Sequence, residues 1–338
     1  MQTGVDVEIN DVAVWDAGEL LAAFAAARLS PLQALQGITE RIARKNPEIN
    51  AFACLNPQAL DAARESTARW REGSARALEG VPVTVSERLD VAGLPSRRGA
   101  ARLADAPVVA RLREAGAVIL GKTISISPDE DTVYGIPRNP WDVACTPGSG
   151  AGAAAAAFFG PFHVLAEPGE RGFISAAWSG VVGFGAGAEW VLTRSVQDAA
   201  LLAACLAGRP AFTGLETGIE RVKIGVWRHV SCVALEMARS FLAGQDAFLT
   251  DLQHMDDPAF DIVLRPAVSQ FAPPAASEIS GARFWQSHLP KLRQMVITLP
   301  VGVTPQGLPL AVCLSAHAEQ EALLLRVARR LERSVNEV

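Results

Sequence analysis

Glu167, Glu170 and Arg171 crowd three charges into the run AEPGERG. A guanidinium presents a fixed fork of donors to a carboxylate or phosphate, and a neighbouring carboxylate can serve as acid or base. Buried charges also need partners, and these three supply each other, so an internal ion pair filling a pocket is the competing reading, with Ser86 and Glu87 as candidate neighbours. Asp129, Glu130 and Asp131 form a short acidic run, but no His or further carboxylate follows at ligand spacing, which points to a solvated loop. His163, in PFHVL, reads as a core histidine with one nitrogen satisfied. His229, His254, His288 and His317 are dispersed without HxH or HExxH, so no metal is expected. The loop from Gly148 to Gly152 lacks the lysine of a P-loop and any GxGxxG, so no phosphate-bearing cofactor is expected either. Cys145 is the one candidate reactive thiol, with an inert thiol as the default.

Positioning such groups requires a frame, and apolar spacing supplies one. Leu20, Leu21, Phe24 and Ala27, then Leu32, Leu35, Ile38 and Ile42, predict two helices over 16–46, separated at Ser30-Pro31 with Ser30 as N-cap. Strands are predicted over 51–55, 81–85 and 118–120, and helices over 57–71 and 105–115. The Ala-rich stretch 153–159 is apolar all round and reads as a buried helix. A helix over 196–206 takes Ser195 as N-cap. Residues 209–290 are the least patterned, broken by Pro266, Pro273 and Pro274, with weak helical signals over 233–249. Strands over 295–299 and 310–314 flank a turn at Pro305-Gln306-Gly307, and 319–332 form an amphipathic helix. Alternation of strand and helix predicts an α/β sheet.

In 338 residues, 49% apolar and 20% charged, there is ample material for a large core. The net charge of −5 is spread in mixed sign, which argues against a nucleic-acid partner. Five cysteines without a CxxC pair argue against a disulfide framework and for a reducing compartment with buried thiols. Neither a signal peptide nor a membrane span is read, so a cytoplasmic protein without membrane association is expected. No internal repeat or low-complexity linker is visible, and a single domain over 1–338 is expected.

Several segments, in order, resemble the amidase signature family, and in particular its GatA-like amidases. They are NPEINAF (46–52), GVPVTV and LDVAGLPSRRGA (80–100), DAPVVARLREAGAVILGKT (105–123), RNPWD and TPG (138–148), SGVVGF (179–184), RSVQDAALL (194–202) and GVTPQGLPLAVCL (302–314). The resemblance implies the amidase signature fold, a mixed central β-sheet flanked by helices on both faces. Residues 16–206 and 296–332 match the family core, whereas 183–190 and 209–295 look abbreviated and divergent.

That family hydrolyses or transfers amides with a serine nucleophile, a bridging serine and a lysine base. Carried onto this chain, the base position holds Ser86, the bridging position Gly150 with Ser149 one residue early, and the nucleophile position Arg171. A serine hydroxyl is no base at neutral pH, and a guanidinium is no nucleophile. Pro168 and Glu170 fall where backbone donors to an oxyanion are expected. The resemblance therefore implies a catalytically degenerate amidase-like protein lacking the whole triad. Its expected role is binding a small amide or carboxylate ligand, or scaffolding or regulating a protein partner, an active enzyme or a second copy. Three alternatives stay open: a repurposed enzyme acting on a small amide or carboxylate through Glu167 or Glu170 with Arg171, a hydrolase that recruits Ser149 or Ser175, and a decaying gene product that expresses poorly in soluble form.

Overall fold

Two capping boxes open the first two long helices. Asp16 accepts from the Glu19 N–H to cap α1 (Ala17–Ala25), and Ser30 accepts from the Gln33 N–H to cap α2 (Pro31–Ile49), whose first residue is the proline that suits that position. The computed structural model describes residues 12–95, 102–126, 134–166, 171–186, 189–227, 232–252, 259–268, 271–275 and 294–336.

From α2 the order is β1 (Phe52–Leu55), α3 (Ala59–Arg71), β2 (Pro82–Ser86), α4 (Pro107–Glu114), β3 (Val118–Thr123), α5 (Gly150–Ala156), β4 (Phe162–Ala166), α6 (Arg171–Ser179), β5 (Val182–Ala186), β6 (Glu189–Thr193) and α7 (Val196–Leu206). Then follow β7 (Lys223–Val226), α8 (Val233–Ala243), β8 (Phe248–Asp251), β9 (Ile262–Pro266), β10 (Gln294–Val303), β11 (Pro309–His317) and α9 (Glu321–Asn336). The described strands form one mixed sheet in the order β1-β3-β2-β4-β6-β5-β10-β11-β9-β7-β8. Its β3-β2-β4 and β9-β7-β8 stretches are parallel, and the pairs between them are antiparallel.

Strand alternation divides the core between two faces. Val83, Val85, Phe162, Val164, Ile297, Leu299, Val312 and Leu314 pack with α4, α7, α8 and α9 on one face. Leu165, Leu192, Ala311 and Cys313 pack with α5 and α6 on the other. Across that second face the register carries one row, Thr84, His163, Leu192, Gly183, Thr298, Cys313 and Arg265, from β2 to β9.

Residues 209–290, the least patterned stretch of the sequence, hold β7, β8 and β9, which extend the sheet, and α8, which falls within the weak helical signal over 233–249. Residues 183–186 and 189–190 belong to the paired strands β5 and β6, which glycines disguise in the sequence. One sequence expectation is corrected at the start of α5. The buried Ala-rich helix starts at Gly150, earlier than its apolar run, because Ser149 caps it.

Candidate functional site

Ser86 ends β2, fully buried, and its hydroxyl lies 3.0 Å from that of Ser125. The Arg88 N–H donates to Ser86 Oγ at 3.3 Å, and either hydroxyl of the Ser86–Ser125 pair can be the donor between them. Glu87 is also buried. Its Oε1 accepts from the Ser125 N–H at 2.8 Å, while Oε2 has no hydrogen-bond partner.

Gly150 opens α5 and donates its N–H to the Ile124 carbonyl at 2.8 Å. A Cβ at this position would stand 2.4 Å from the Ala51 oxygen and 2.7 Å from the Ile124 nitrogen, both backbone atoms. The backbone here admits a glycine and no larger residue. Arg171 opens α6, half-buried, and its Nη1 donates to the Ile126 carbonyl at 3.0 Å. Three consecutive residues, Ile124, Ser125 and Ile126, thus each engage one of Gly150, Ser86 and Arg171.

Ser149 accepts from the Gly152 N–H at 3.0 Å and lies 2.6 Å from Ser175 Oγ. Ser175 and Ser179 both donate to the Pro147 carbonyl, at 3.3 and 3.0 Å. The chain of protons therefore runs from Ser149 to Ser175 to a carbonyl, which cannot take a proton as a base does. Packing is tight here too, since a Cβ on Gly152 would meet both Ser175 Oγ and Ser179 Oγ at 2.5 Å.

Lys122 is the buried amine nearest in register to Ser86, yet it pairs with Val85 while Thr123 pairs with Ser86, so it leaves the sheet on the opposite face. Its Nζ donates to the Pro95 carbonyl at 3.0 Å, and burial lowers its pKa. His163 has both nitrogens satisfied, more than the sequence suggests: Nε2–H donates to the Gly160 carbonyl at 3.1 Å and Nδ1 accepts from the Thr84 hydroxyl at 2.8 Å. Burial, with the Arg194 guanidinium alongside, pushes it down to about 3, so the ring is a neutral structural bridge.

None of the five cysteines is in a disulfide, but only Cys145 and Cys313 are buried, which corrects the expectation for Cys54, Cys205 and Cys232. Burial and the nearby Asp142 push the Cys145 thiol up, away from the reactive range. Glu167, Pro168, Glu170, the acidic run Asp129 to Asp131, and His229, His254 and His288 lie outside the described residues. Among the described residues no cluster of three His, Cys, Asp or Glu could hold a metal, and no helix is long and apolar enough to cross a membrane. A surface groove of about 690 Å³ lined by Arg41, Lys45, Trp141, Phe158 and Gln306 contains none of Ser86, Gly150 or Arg171.

Ser125 and its two neighbours escape sequence reasoning. They follow the LGKT strand with no motif of their own, and only the fold brings them to the three positions.

The amidase family profile matches residues 33–186, which contain all three of these positions. Over residues 33–186 the chain belongs to the amidase family. It is 36% identical to the A subunit of glutamyl-tRNA(Gln) amidotransferase from Azoarcus sp. over 46% of this chain and 34% of that one. It is 33% identical to the subunit of the same name from Acidothermus cellulolyticus, over 59% of this chain and 46% of that one. The chain thus spans less than half the length of either curated relative. A crystal structure of an amidase superposes with a TM-score of 0.82 at 21% identity, covering 94% of this chain and 99% of that one, which fixes the amidase signature fold.

Proposed function

We propose that this amidase-family chain does not hydrolyse amides by the serine and lysine chemistry of its family, and that it serves as a ligand-binding, scaffolding or regulatory partner of another enzyme. The observation that carries this reading is Gly150. The position that resemblance assigns to the bridging serine has backbone atoms where any Cβ would stand. Ser86 and Arg171 support it, because a serine cannot serve as the base nor an arginine as the nucleophile, and both are engaged by the segment from Ile124 to Ile126. The relatives from Azoarcus and Acidothermus are named as subunits, which supports a protein partner for this chain. We place that work in the cytoplasm, in keeping with five cysteines outside any disulfide, and treat the chain as a single domain.

A second reading, a repurposed enzyme on a small amide or carboxylate, draws on one observation. Among the described residues Glu87 Oε2 is buried without a hydrogen-bond partner beside the Ser86–Ser125 pair, which sets a carboxylate oxygen next to two hydroxyls.

The test is a fluorophosphonate label and an amide-hydrolysis panel applied to the purified protein. No turnover and no labelled serine is the expected result. Stoichiometric labelling of Ser149 or Ser175, or turnover abolished by Glu87→Gln, would sink the proposal.

A further inference from the structure

Arg265 is 1% exposed, among the largest fully buried side chains of the protein. Its Nη1 reaches only the Pro266 carbonyl, at a long 3.4 Å, and its Nη2 has no hydrogen-bond partner. The guanidinium lies over the ring of Phe173 at 5.1 Å. Half-buried Arg194 shows what a self-sufficient guanidinium looks like in the same fold, with the Gly160 carbonyl at 2.8 Å, Val14 at 3.2 Å and Trp15 at 2.5 Å. A cation held without water and without an anion is costly, and proteins as a rule pair it. Among the described residues nothing gives Arg265 that pairing.

We propose that Arg265 anchors a binding site for a small organic carboxylate between α6 and strands β9, β10 and β11. The ring stack orients the fork, and among the described residues Nη2 is left without a hydrogen-bond partner, a donor edge that a carboxylate could take once the site opens. Cys313 stands opposite Arg265 in register, and the Thr298 hydroxyl lies 3.2 Å from Cys313 Sγ, so a second polar group lies in the same row. Phe173, Ala267 and Ala311 pack in the same apolar cluster as Cys313 and are all buried. One positive charge among apolar walls matches a monoanion with an apolar body and disfavours a multiply charged phosphate. Entry requires local opening, so association is slow. None of these residues occupies a family catalytic position, so the site stands or falls apart from the loss of amide chemistry.

The test uses the full chain with acetate, benzoate and inorganic phosphate at fixed ionic strength, read by thermal unfolding and calorimetry. A saturable rise in Tm with acetate or benzoate is expected, weakened roughly tenfold or more in Kd by Arg265→Gln and also weakened by Arg265→Lys, which keeps the charge and loses the fork. An equal response in the parent and Arg265→Gln, a response to phosphate alone, or none in the parent overturns the proposal. Should Arg265→Gln fail to fold, crystals of the parent soaked in 4-bromobenzoate decide. A bromine anomalous peak beside Arg265 supports the site, and a peak elsewhere or no peak removes it.

Discussion

The hydroxyls of Ser149 and Ser175 lie 2.6 Å apart, with Ser149 donating to Ser175 and Ser175 donating its own proton to the Pro147 carbonyl. Ser149 is thereby a helix cap before it is anything else, since its oxygen holds the Gly152 N–H at the start of α5. Ser149→Ala is expected to destabilise the protein by about 1–2 kcal/mol through loss of the cap and of the buried hydroxyl pair. Urea unfolding of the two proteins measures it. An effect below the error of the extrapolation would show that the cap contributes nothing.

Restoring a serine to the bridging position has a different cost. Gly150→Ser drives a side chain into the Ala51 and Ile124 backbone and is expected to lose about 3 kcal/mol. No hydrolysis should appear, because Ser86 still stands where a base is needed. A variant as stable as the parent would mean that the α5 entrance yields, and the argument from steric exclusion would fail.

Asp198, 1% exposed near the start of α7, accepts from the Ala17 N–H at 2.8 Å and leaves Oδ1 without a partner. Burial, with Asp16 adding its negative charge, pushes its carboxyl up to about 7. The unfolded value is about 4, so the fold favours the neutral form, and stability is full below about pH 4 and lost as pH rises through about 7. Asp198→Asn should flatten this dependence and exceed the parent in stability at pH 8 by on the order of 2–4 kcal/mol. Denaturant midpoints of both proteins from pH 4 to 8 decide it, and parallel curves would refute the assignment.

Much of the first two hundred residues is legible because caps and periodicity agree there. Ser30-Pro31 and Ser195 mark helix starts that the structure keeps, and the β-branched run Pro82–Ser86 is the buried strand it reads as. The strands after Gly208 are not legible, because β7 and β8 have four residues each and β9 ends in a proline and carries a buried arginine. A charged residue in a short apolar run reads as surface, and only the unpartnered guanidinium inside the fold reveals otherwise. At the site, motif order points to Ser86, Gly150 and Arg171, but the contact each makes with 124–126 is long-range and has no local signature.

The outer strands of the sheet, β1 and β8, are each four residues long. Strand β8 carries Asp251, which is paired with Arg239 at 2.9 Å. A chain arriving to extend the sheet would find few backbone groups to zip against at either margin, and a charge at one of them, features that discourage edge-to-edge growth. A partner for this protein would thus have to grip side-chain surface, and fibrous self-assembly by strand addition is blunted from both ends.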